Sequence, residues 1–208
     1  AISSSFLSSS IIEPTTLSKT NSPYFVNQDV TIQAGATLTI EQGVEVKFDD
    51  NTAMYIKGSL IVNGTTNDLV SFSPYYDGQQ WKGLFFDNAT GESNITNAII
   101  TQTKGIENDK NFFSSISAVN STVNLDGVQI TDVLLPISSQ FSDMRIENSV
   151  ISNVTLIGDY LNVNGGNLWV LNTVFEGNNI EDMDAIDIGF MEGTTIIKIG
   201  RASCRERV

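Results

Sequence analysis

The chain contains no histidine among its 208 residues. Histidine is the usual general base near neutral pH and one of the main zinc ligands in proteins. Its absence excludes Ser-His-Asp and Cys-His nucleophilic sites and zinc centres that depend on imidazole. Carboxylates and a small number of basic side chains remain as the titratable groups from which a site can be built.

Cysteine is nearly absent as well, since it occurs once, at Cys204, within the last segment IGRASCRERV (199–208). One reading frame of a common short-read sequencing adapter encodes this peptide, which carries three of the four arginines in the chain. We interpret residues 199–208 as a non-native, adapter-derived tail and leave it outside the predicted fold. Without Cys204, no disulfide is predicted.

Basic residues and long apolar runs are also scarce. Lys and Arg number 11 against 24 Asp and Glu, which gives a net charge of −13. A surface of this sign repels nucleic-acid phosphates and anionic membranes, and no stretch approaches the ~18 apolar residues of a membrane span. We therefore predict neither nucleic-acid binding nor membrane insertion. An acidic exterior of this kind suits solubility or cation binding.

Helical periodicity is missing too. From Tyr24 onwards, short segments of alternating apolar and polar residues are separated by turns rich in Gly, Asn and Asp. No stretch offers the capped, amphipathic pattern of a helix of about ten residues. The sequence predicts an all-β fold, with early strands at 24–26, 30–32, 37–40, 44–48, 53–56, 59–64, 69–72 and 83–86.

The chain does contain a phrase that returns four times, as NITNAIITQT (94–103), NLDGVQITDV (124–133), RIENSVISNV (145–154) and WVLNTVFEGN (169–178). The offsets between Asn97, Gly127, Asn148 and Asn172 are 30, 21 and 24 residues. Short strands also fit a sandwich, but a sandwich has no reason to reuse one phrase at a loosely constant offset. We predict a solenoid whose corner Asn and Gly residues adopt left-handed backbone, and whose corner Asn side chains bond to each other between coils.

Three further motifs lie in the first half: VTIQAGATLTIEQG (30–43), GSLIVNGT (58–65) and WKGLFF (81–86). With these motifs the chain resembles, over about residues 23–198, the bacterial right-handed parallel β-helix proteins of the cell surface, which share the pectate-lyase-like superfold. The resemblance implies a right-handed, single-stranded parallel β-helix. It says little about activity, because such motifs occur in adhesins, matrix proteins and carbohydrate-active enzymes. The matching positions are Val30, Thr31, Ile32, Gly35, Leu38, Thr39, Ile40, Gly43, Gly58, Leu60, Gly64, Thr65, Trp81, Gly83, Leu84 and Phe86.

Three segments are expected. Residues 1–22 are rich in Ser and Thr and are predicted to be a leader or linker, with the alternative that Ile11 and Ile12 cover the first open coil. Residues 23–198 are predicted to form about seven or eight coils, followed by the tail. Because the chain starts without Met and 194–199 looks like the start of another coil, we expect a fragment of a larger polypeptide, truncated at its C-terminal end.

Carboxylates supply a candidate metal-binding pattern in the densest acidic cluster, EDMDAIDIG. Oxygen-rich loops of this kind hold calcium, although the spacing matches neither an EF-hand loop nor a calcium-binding β-roll repeat. A solvated acidic loop is the alternative. Calcium is therefore a candidate ligand, and no other cofactor is predicted; the candidate metal ligands are Glu181, Asp182, Asp184 and Asp187.

Catalytic residues are not predicted. By the resemblance, the pectate lyases of this superfold use a basic residue to abstract a proton, and the pectin hydrolases use a His beside aspartates. Arg145 is the one arginine outside the tail, but it lies in the repeated phrase, where the other copies have Asn94, Asn124 and Trp169. We interpret Arg145 as an exposed coil position.

Aromatic residues provide the candidate ligand-binding positions Tyr75, Tyr76 and Trp81, because aromatic faces pack on pyranose rings. For Trp81, a core or corner position is the alternative. The insertion at 73–81 and a second one at 105–115 would shape a lateral face of the solenoid.

The predicted function is that of a non-catalytic segment of a secreted or cell-surface bacterial protein, acting in adhesion, matrix or glycan contact with an extracellular glycan or surface partner. The alternative is the scaffold of a polysaccharide lyase or glycoside hydrolase whose active site is missing or lies in the lateral cleft. Carboxylates aligned across neighbouring coils would favour the enzyme, and a lateral face without convergent titratable groups would favour the binding segment.

Overall fold

The structure is a computed structural model, and it describes residues 5–177, 184–189, 196–199 and 202–206. Within these ranges the regular structure is β apart from one 3-10 turn at Lys19–Asn21. The strands pair in parallel from turn to turn of a solenoid. The predictions of an all-β fold and of a parallel solenoid are confirmed, whereas its right-handedness stays a prediction.

Each turn contributes one strand to each of three faces, which we name A, B and C, and the strands are numbered in chain order. Face A is a nine-stranded sheet. Its strands are β1 (Ser5–Phe6), β4 (Tyr24–Val26), β7 (Glu45–Phe48), β10 (Val70–Pro74), β13 (Ala98–Thr101), β16 (Gln129–Val133), β18 (Val150–Val154), β20 (Thr173–Gly177) and β23 (Ala202–Glu206).

Faces B and C form one larger sheet, because two long strands, β17 (Ile137–Glu147) and β19 (Leu161–Leu171), run through both faces. The other strands of face B are β2 (Ser10–Ile11), β5 (Val30–Ile32), β8 (Ala53–Ile56), β11 (Gly83–Asp87), β14 (Ile116–Val119) and β21 (Asp187–Gly189). Those of face C are β3 (Thr15–Leu17), β6 (Thr37–Glu41), β9 (Ser59–Asn63), β12 (Ser93–Thr96), β15 (Thr122–Asp126) and β22 (Ile196–Ile199).

The strand register reproduces the repeat in the sequence. On face A, Ile99 pairs with Gln129, Gln129 with Val150 and Val150 with Val174, which are the predicted offsets between coils. Strands β1 to β19 make up seven turns, β20 to β22 contribute one strand to each face of an eighth, and β23 adds a further strand to face A. The predicted seven or eight coils are confirmed.

The core fills the space between the three faces with inward side chains stacked from turn to turn. On face A this stack runs through Val46, Phe72, Ile100, Ile130 and Ile151, each at most 1% exposed. Because strand residues alternate between the two faces of a sheet, each inward residue lies above its equivalent in the previous turn. The apolar ladders therefore remove their whole surface from water, which is the main stabilising contribution to the fold.

Both ends of the solenoid differ from the predicted boundaries. Residues 1–22 were expected to be a leader, but Ser5–Leu17 form the first turn, in which Leu7, Ile11 and Leu17 are buried. Ile12, named with Ile11 as a cover for the first coil, is 75% exposed. At the other end, strand β23 of the tail pairs with β20, so the tail contributes to face A, and its adapter origin stays a prediction.

Candidate ligand-binding surface

Four aromatic side chains lie next to one another on the outside of face A, near its N-terminal end. Phe6 on β1 and Phe25 on β4 are paired in register, with ring centroids 5.7 Å apart. Phe25 meets the ring of Tyr75 edge-on at 4.9 Å, and Tyr75 meets Tyr76 edge-on at 4.3 Å. We call these four residues the aromatic surface.

Strand alternation places these rings outside. Phe25 stands between Tyr24 and Val26, both buried, so its own side chain points away from the core. Tyr75 follows directly after β10, and its backbone N–H donates to the carbonyl of Phe48 at 2.6 Å. The paired strands β1 and β4 and the loop after β10 thus all contribute rings to the aromatic surface.

The aromatic surface is open to solvent. Phe6 and Tyr76 are each 60% exposed and Tyr75 is 45% exposed. Single exposed apolar residues are ordinary, but contiguous apolar patches on a protein surface mark places where ligands or partners bind. The aromatic surface is therefore a candidate binding surface.

Polar groups border the rings. The aromatic surface lines a groove of about 270 Å³ together with Asn27, Lys47 and Asp49. Lys47 Nζ donates to Ser73 Oγ at 2.9 Å and lies 3.6 Å from Glu45 Oε2, so its ammonium group is held beside the groove. Apolar faces with a few oriented polar groups are the usual composition of a site for an organic ligand.

The Tyr76 hydroxyl group stays protonated at neutral pH. Charge repulsion from the neighbouring Tyr75 is the main cause that raises the pKa of Tyr76 above its ordinary value of 10.0, and loss of hydration adds to the effect. A neutral phenol both donates and accepts a hydrogen bond. Tyr76 thus offers a ring face together with a hydroxyl group at the rim of the groove.

Trp81 does not belong to this surface. Its side chain is fully buried, its indole stacks on Phe48 at a centroid distance of 3.9 Å, and its Nε1 donates to the carbonyl of Thr101 at 2.8 Å. Protein covers both the ring and its polar atom, so Trp81 has no face to offer a sugar. Of the three predicted aromatic residues, the structure brings Tyr75 and Tyr76 together and assigns Trp81 to the core.

The insertion at 105–115 covers part of face B. Its Phe112 lies against the ring of Phe85 at 5.2 Å and meets Tyr55 edge-on at 6.0 Å. This cover leaves Tyr55 half-buried, and the burial, with the nearby carboxylates of Asp29 and Asp109 as further causes, raises the pKa of Tyr55. The insertion therefore closes this aromatic cluster, whereas the aromatic surface on face A stays open.

The predicted calcium ligands are only partly described by the structure. Glu181 and Asp182 lie outside the described residues, while Asp184 and Asp187 lie near Asp159. Burial, followed by the charges of Asp187 and Asp184, raises the pKa of Asp159. Within the described ranges, no group of three or more His, Cys, Asp or Glu residues has a geometry that could hold a metal ion. Calcium binding stays a prediction.

Arg145 has the position that the repeat predicted. It pairs in register with Asn124 on one side and Trp169 on the other, and Asn94 stands one turn further away. Its guanidinium donates to Glu147 Oε1 at 2.6 Å on the outside of face C, and this hydrogen bond is the main cause that raises the pKa of Arg145. Arg145 therefore forms an ion pair on an open face rather than in a cleft.

Comparison with known proteins gives limited information. No family model matches the chain, and no solved structure matches it. A segment of 79 residues, 38% of the chain, is 33% identical to Protein bark beetle of Drosophila melanogaster. The chain spans about 2% of the length of that curated relative. The bacterial origin and the pectate-lyase-like kinship therefore stay predictions.

In the part of the chain that the structure describes, no helix has the length and apolar character that crossing a bilayer requires.

The sequence prediction missed Phe6 and Phe25 as members of the aromatic surface. Phe6 lay in the supposed leader, and the sequence carried no signal that it stands beside Phe25.

Proposed function

We propose that this segment is a non-catalytic β-solenoid scaffold that contacts carbohydrate through the aromatic surface. The observation that carries the proposal is the contiguous exposure of Phe6, Tyr75 and Tyr76 beside the polar groups of Lys47 and Asp49. Sugar rings present apolar C–H faces that pack on aromatic rings, and their hydroxyl groups bond to phenol, ammonium and carboxylate groups.

The scaffold supports this role because it holds the rings at fixed distances. Phe25 pairs with Phe6 on one side and with Lys47 on the other, through parallel backbone hydrogen bonds. Residues on rigid strands are positioned more accurately than residues on isolated loops. Phe6 and Phe25, which lie on strands, therefore need little rearrangement when a ligand binds, which lowers the entropy cost of binding.

The titratable groups around the groove favour binding over hydrolysis. Among the described residues, Asp49 is the one carboxylate that lines the groove. Glycosidases usually act with a pair of carboxylates on either side of the scissile bond. A single carboxylate beside a lysine is suited to hydrogen bonding and orientation of a sugar. The proposal includes display outside the cell, as part of a secreted or surface protein, since that is where structural polysaccharides occur.

The test is binding of the full chain to a panel of immobilised neutral, acidic and amino-sugar polysaccharides. For the polysaccharide that is retained, we expect Tyr76→Ala to weaken binding by about tenfold, because the substitution removes a ring contact worth roughly 1.4 kcal/mol. Tyr75→Ala should act in the same direction. Retention of no polysaccharide in the panel would overturn the proposal.

The matched control is Phe141→Asn. Phe141 is 45% exposed, as Tyr75 is, but it lies on the corner between faces B and C, where equivalent turns carry Asn88 and Asn120. Asparagine therefore fits its left-handed backbone, with φ of 48°. Carbohydrate binding should be unchanged in this variant. Equal losses in Phe141→Asn and Tyr76→Ala would contradict a role for the aromatic surface.

A further inference from the structure

Hydroxyl side chains from four successive turns form one row on the outside of face A. Continuing the register of β10 with β13 places Ser73 opposite Thr101. Thr101 pairs with Thr131, and Thr131 pairs with Ser152, whose Oγ donates to Thr131 Oγ1 at 3.3 Å. Each of the four is half-buried, as expected for an outward position in the middle of a sheet. We call Ser73, Thr101, Thr131 and Ser152 the hydroxyl row.

The hydroxyl row continues the line of the aromatic surface. Phe6 pairs with Phe25, and Phe25 pairs with Lys47. Lys47 pairs with Ser73, and its Nζ donates to Ser73 Oγ at 2.9 Å. Because neighbouring strands lie about 4.8 Å apart, the line from Phe6 to Ser152 extends for about 29 Å along the stack of turns. The aromatic rings and the hydroxyl groups are therefore two parts of one straight, continuous surface.

The surface around the hydroxyl row is uncharged, although acidic residues outnumber basic ones by 24 to 11 in the whole sequence. Ile99 and Val150, both half-buried, place aliphatic groups beside the hydroxyl groups. Asp132 follows in β16, but its left-handed backbone, with φ of 56°, already belongs to the corner. Such a surface fits a neutral partner that itself carries hydroxyl and C–H groups. The outward positions of the four strands before the corner are Ser71, Ser73, Ile99, Thr101, Gln129, Thr131, Val150 and Ser152.

We infer that the aromatic surface and the hydroxyl row together bind one chain of a neutral, linear polysaccharide in an extended conformation, lying across the strands and along the solenoid. The inference rests on the proposed function and names the class of carbohydrate. Sugar rings pack on the aromatic rings at one end, and sugar hydroxyl groups donate to and accept from the hydroxyl row at the other. In an extended β-1,4-linked chain, each sugar advances by a length close to the spacing between strands. Successive sugars therefore meet equivalent positions in successive turns.

The test is isothermal titration calorimetry of the full chain with trisaccharides and hexasaccharides of β-1,4-glucan, β-1,4-mannan and chitin. In at least one series, the hexasaccharide should bind at least about tenfold more tightly than the trisaccharide, because six sugars reach from Phe6 to Thr131 and three reach only to Lys47. Maltohexaose, which is neutral but curved, should not show this gain. Equal affinities at both lengths, or binding of acidic polysaccharides alone, would overturn the inference and leave the proposed function standing. Binding of no carbohydrate would overturn both.

Two variants separate the hydroxyl row from the aromatic surface. Thr101→Val removes one hydroxyl group and keeps the shape of the side chain, so it should weaken hexasaccharide binding by about threefold to tenfold and leave trisaccharide binding unchanged. Tyr76→Ala should weaken both. Thr39→Val is the matched control, since Thr39 is a half-buried, outward residue of β6 on face C, where it pairs with Thr16 and Ile61. Hexasaccharide binding that is unchanged in Thr101→Val, or that falls equally in Thr39→Val, would refute the role of the hydroxyl row.

Discussion

Asn172 donates its side-chain N–H to the side-chain oxygen of Asn148 at 3.3 Å, across 24 residues of sequence. Asn148 in turn donates to Asp126 Oδ1 at 2.7 Å in the turn before. Both asparagines have left-handed backbone, with φ of 50° and 49°. Asparagine therefore adopts the left-handed backbone of the corner, and its side chain bonds to the neighbouring turn. The predicted hydrogen bonding between corner asparagines is confirmed.

Asn148→Ala should lower the free energy of unfolding by about 1–3 kcal/mol. The substitution removes both ladder hydrogen bonds and puts a Cβ without a compensating polar group into the left-handed region. Asn148→Gly should cost less, because glycine adopts this backbone freely, as Gly127 does one turn earlier with φ of 67°. Urea unfolding followed by circular dichroism measures both variants. A glycine variant less stable than the alanine variant would contradict this account.

Trp81→Ala should lower the free energy of unfolding by about 3–5 kcal/mol, because it leaves a large cavity against Phe48 in the core. Trp81→Phe should retain the ring stacking but leave the carbonyl of Thr101 without its N–H donor, at a cost of about 1–3 kcal/mol. Chemical denaturation gives both values. If Trp81→Ala unfolded at the same denaturant concentration as the parent chain, the assignment of Trp81 to the core would be wrong.

Gly58→Ala should prevent normal folding or reduce stability severely. A Cβ at Gly58 would overlap the carbonyl oxygen of Ala36 in the preceding turn, and backbone atoms cannot move aside as a flexible side chain can. Gly35→Asn is the control, because Gly35 has left-handed backbone but open space where a Cβ would lie. Soluble yield and thermal unfolding distinguish the two variants. Equal thermal stability of Gly58→Ala and the parent would exclude the close approach of these two turns.

Asp159→Asn should raise the melting temperature near neutral pH. Burial, the charge of Asp187 and the charge of Asp184 raise the pKa of Asp159 in the folded state above its unfolded value. Folding therefore favours the protonated acid, and the ionised carboxylate costs stability once the pH rises through the folded pKa. At a pH below the unfolded pKa, about 4 for Asp, the cost disappears.

The measurement is the melting temperature of the parent chain and of Asp159→Asn as a function of pH. The melting temperature of the variant should exceed that of the parent most at about pH 7, and the difference should vanish as the pH falls toward about 4. Asp68→Asn is the control for removing a carboxylate, since Asp68 pairs with Lys19 on the surface. A difference in melting temperature between Asp159→Asn and the parent that grows as the pH falls would contradict this prediction.

Local patterns in the sequence were sufficient for the strands from Tyr24 onwards, the offsets between repeats and the corners. Apolar alternation predicts which strand residues point inward, because successive side chains lie on opposite faces of a strand. The offsets between Asn97, Gly127, Asn148 and Asn172 predict the pairing of β13, β16, β18 and β20, since one phrase per turn must stack on the next. These properties depend on a few neighbouring residues each.

The first turn could not be predicted in this way. Its strands β1 and β2 have two residues each, which is too short to show alternation. They exist because the next turn supplies partners: Leu7 N–H donates to the carbonyl of Phe25 at 2.9 Å, and Thr31 N–H donates to that of Ser9 at 2.8 Å. A segment rich in Ser and Thr resembles a linker when it is taken alone, and it is a strand when a parallel edge lies beside it.

The sequence by itself determined a parallel solenoid with buried apolar ladders and asparagine corners, because alternation and left-handed turns are encoded locally. Only the tertiary structure decided which outward residues share a surface. Tyr75 lies beside Phe25, 50 positions earlier, and Trp81 lies inside although it is a near neighbour of Tyr75 in sequence. Phe6, Phe25 and Tyr75 come from three different turns, so the stacking of those turns, rather than any local pattern, brings the aromatic surface together.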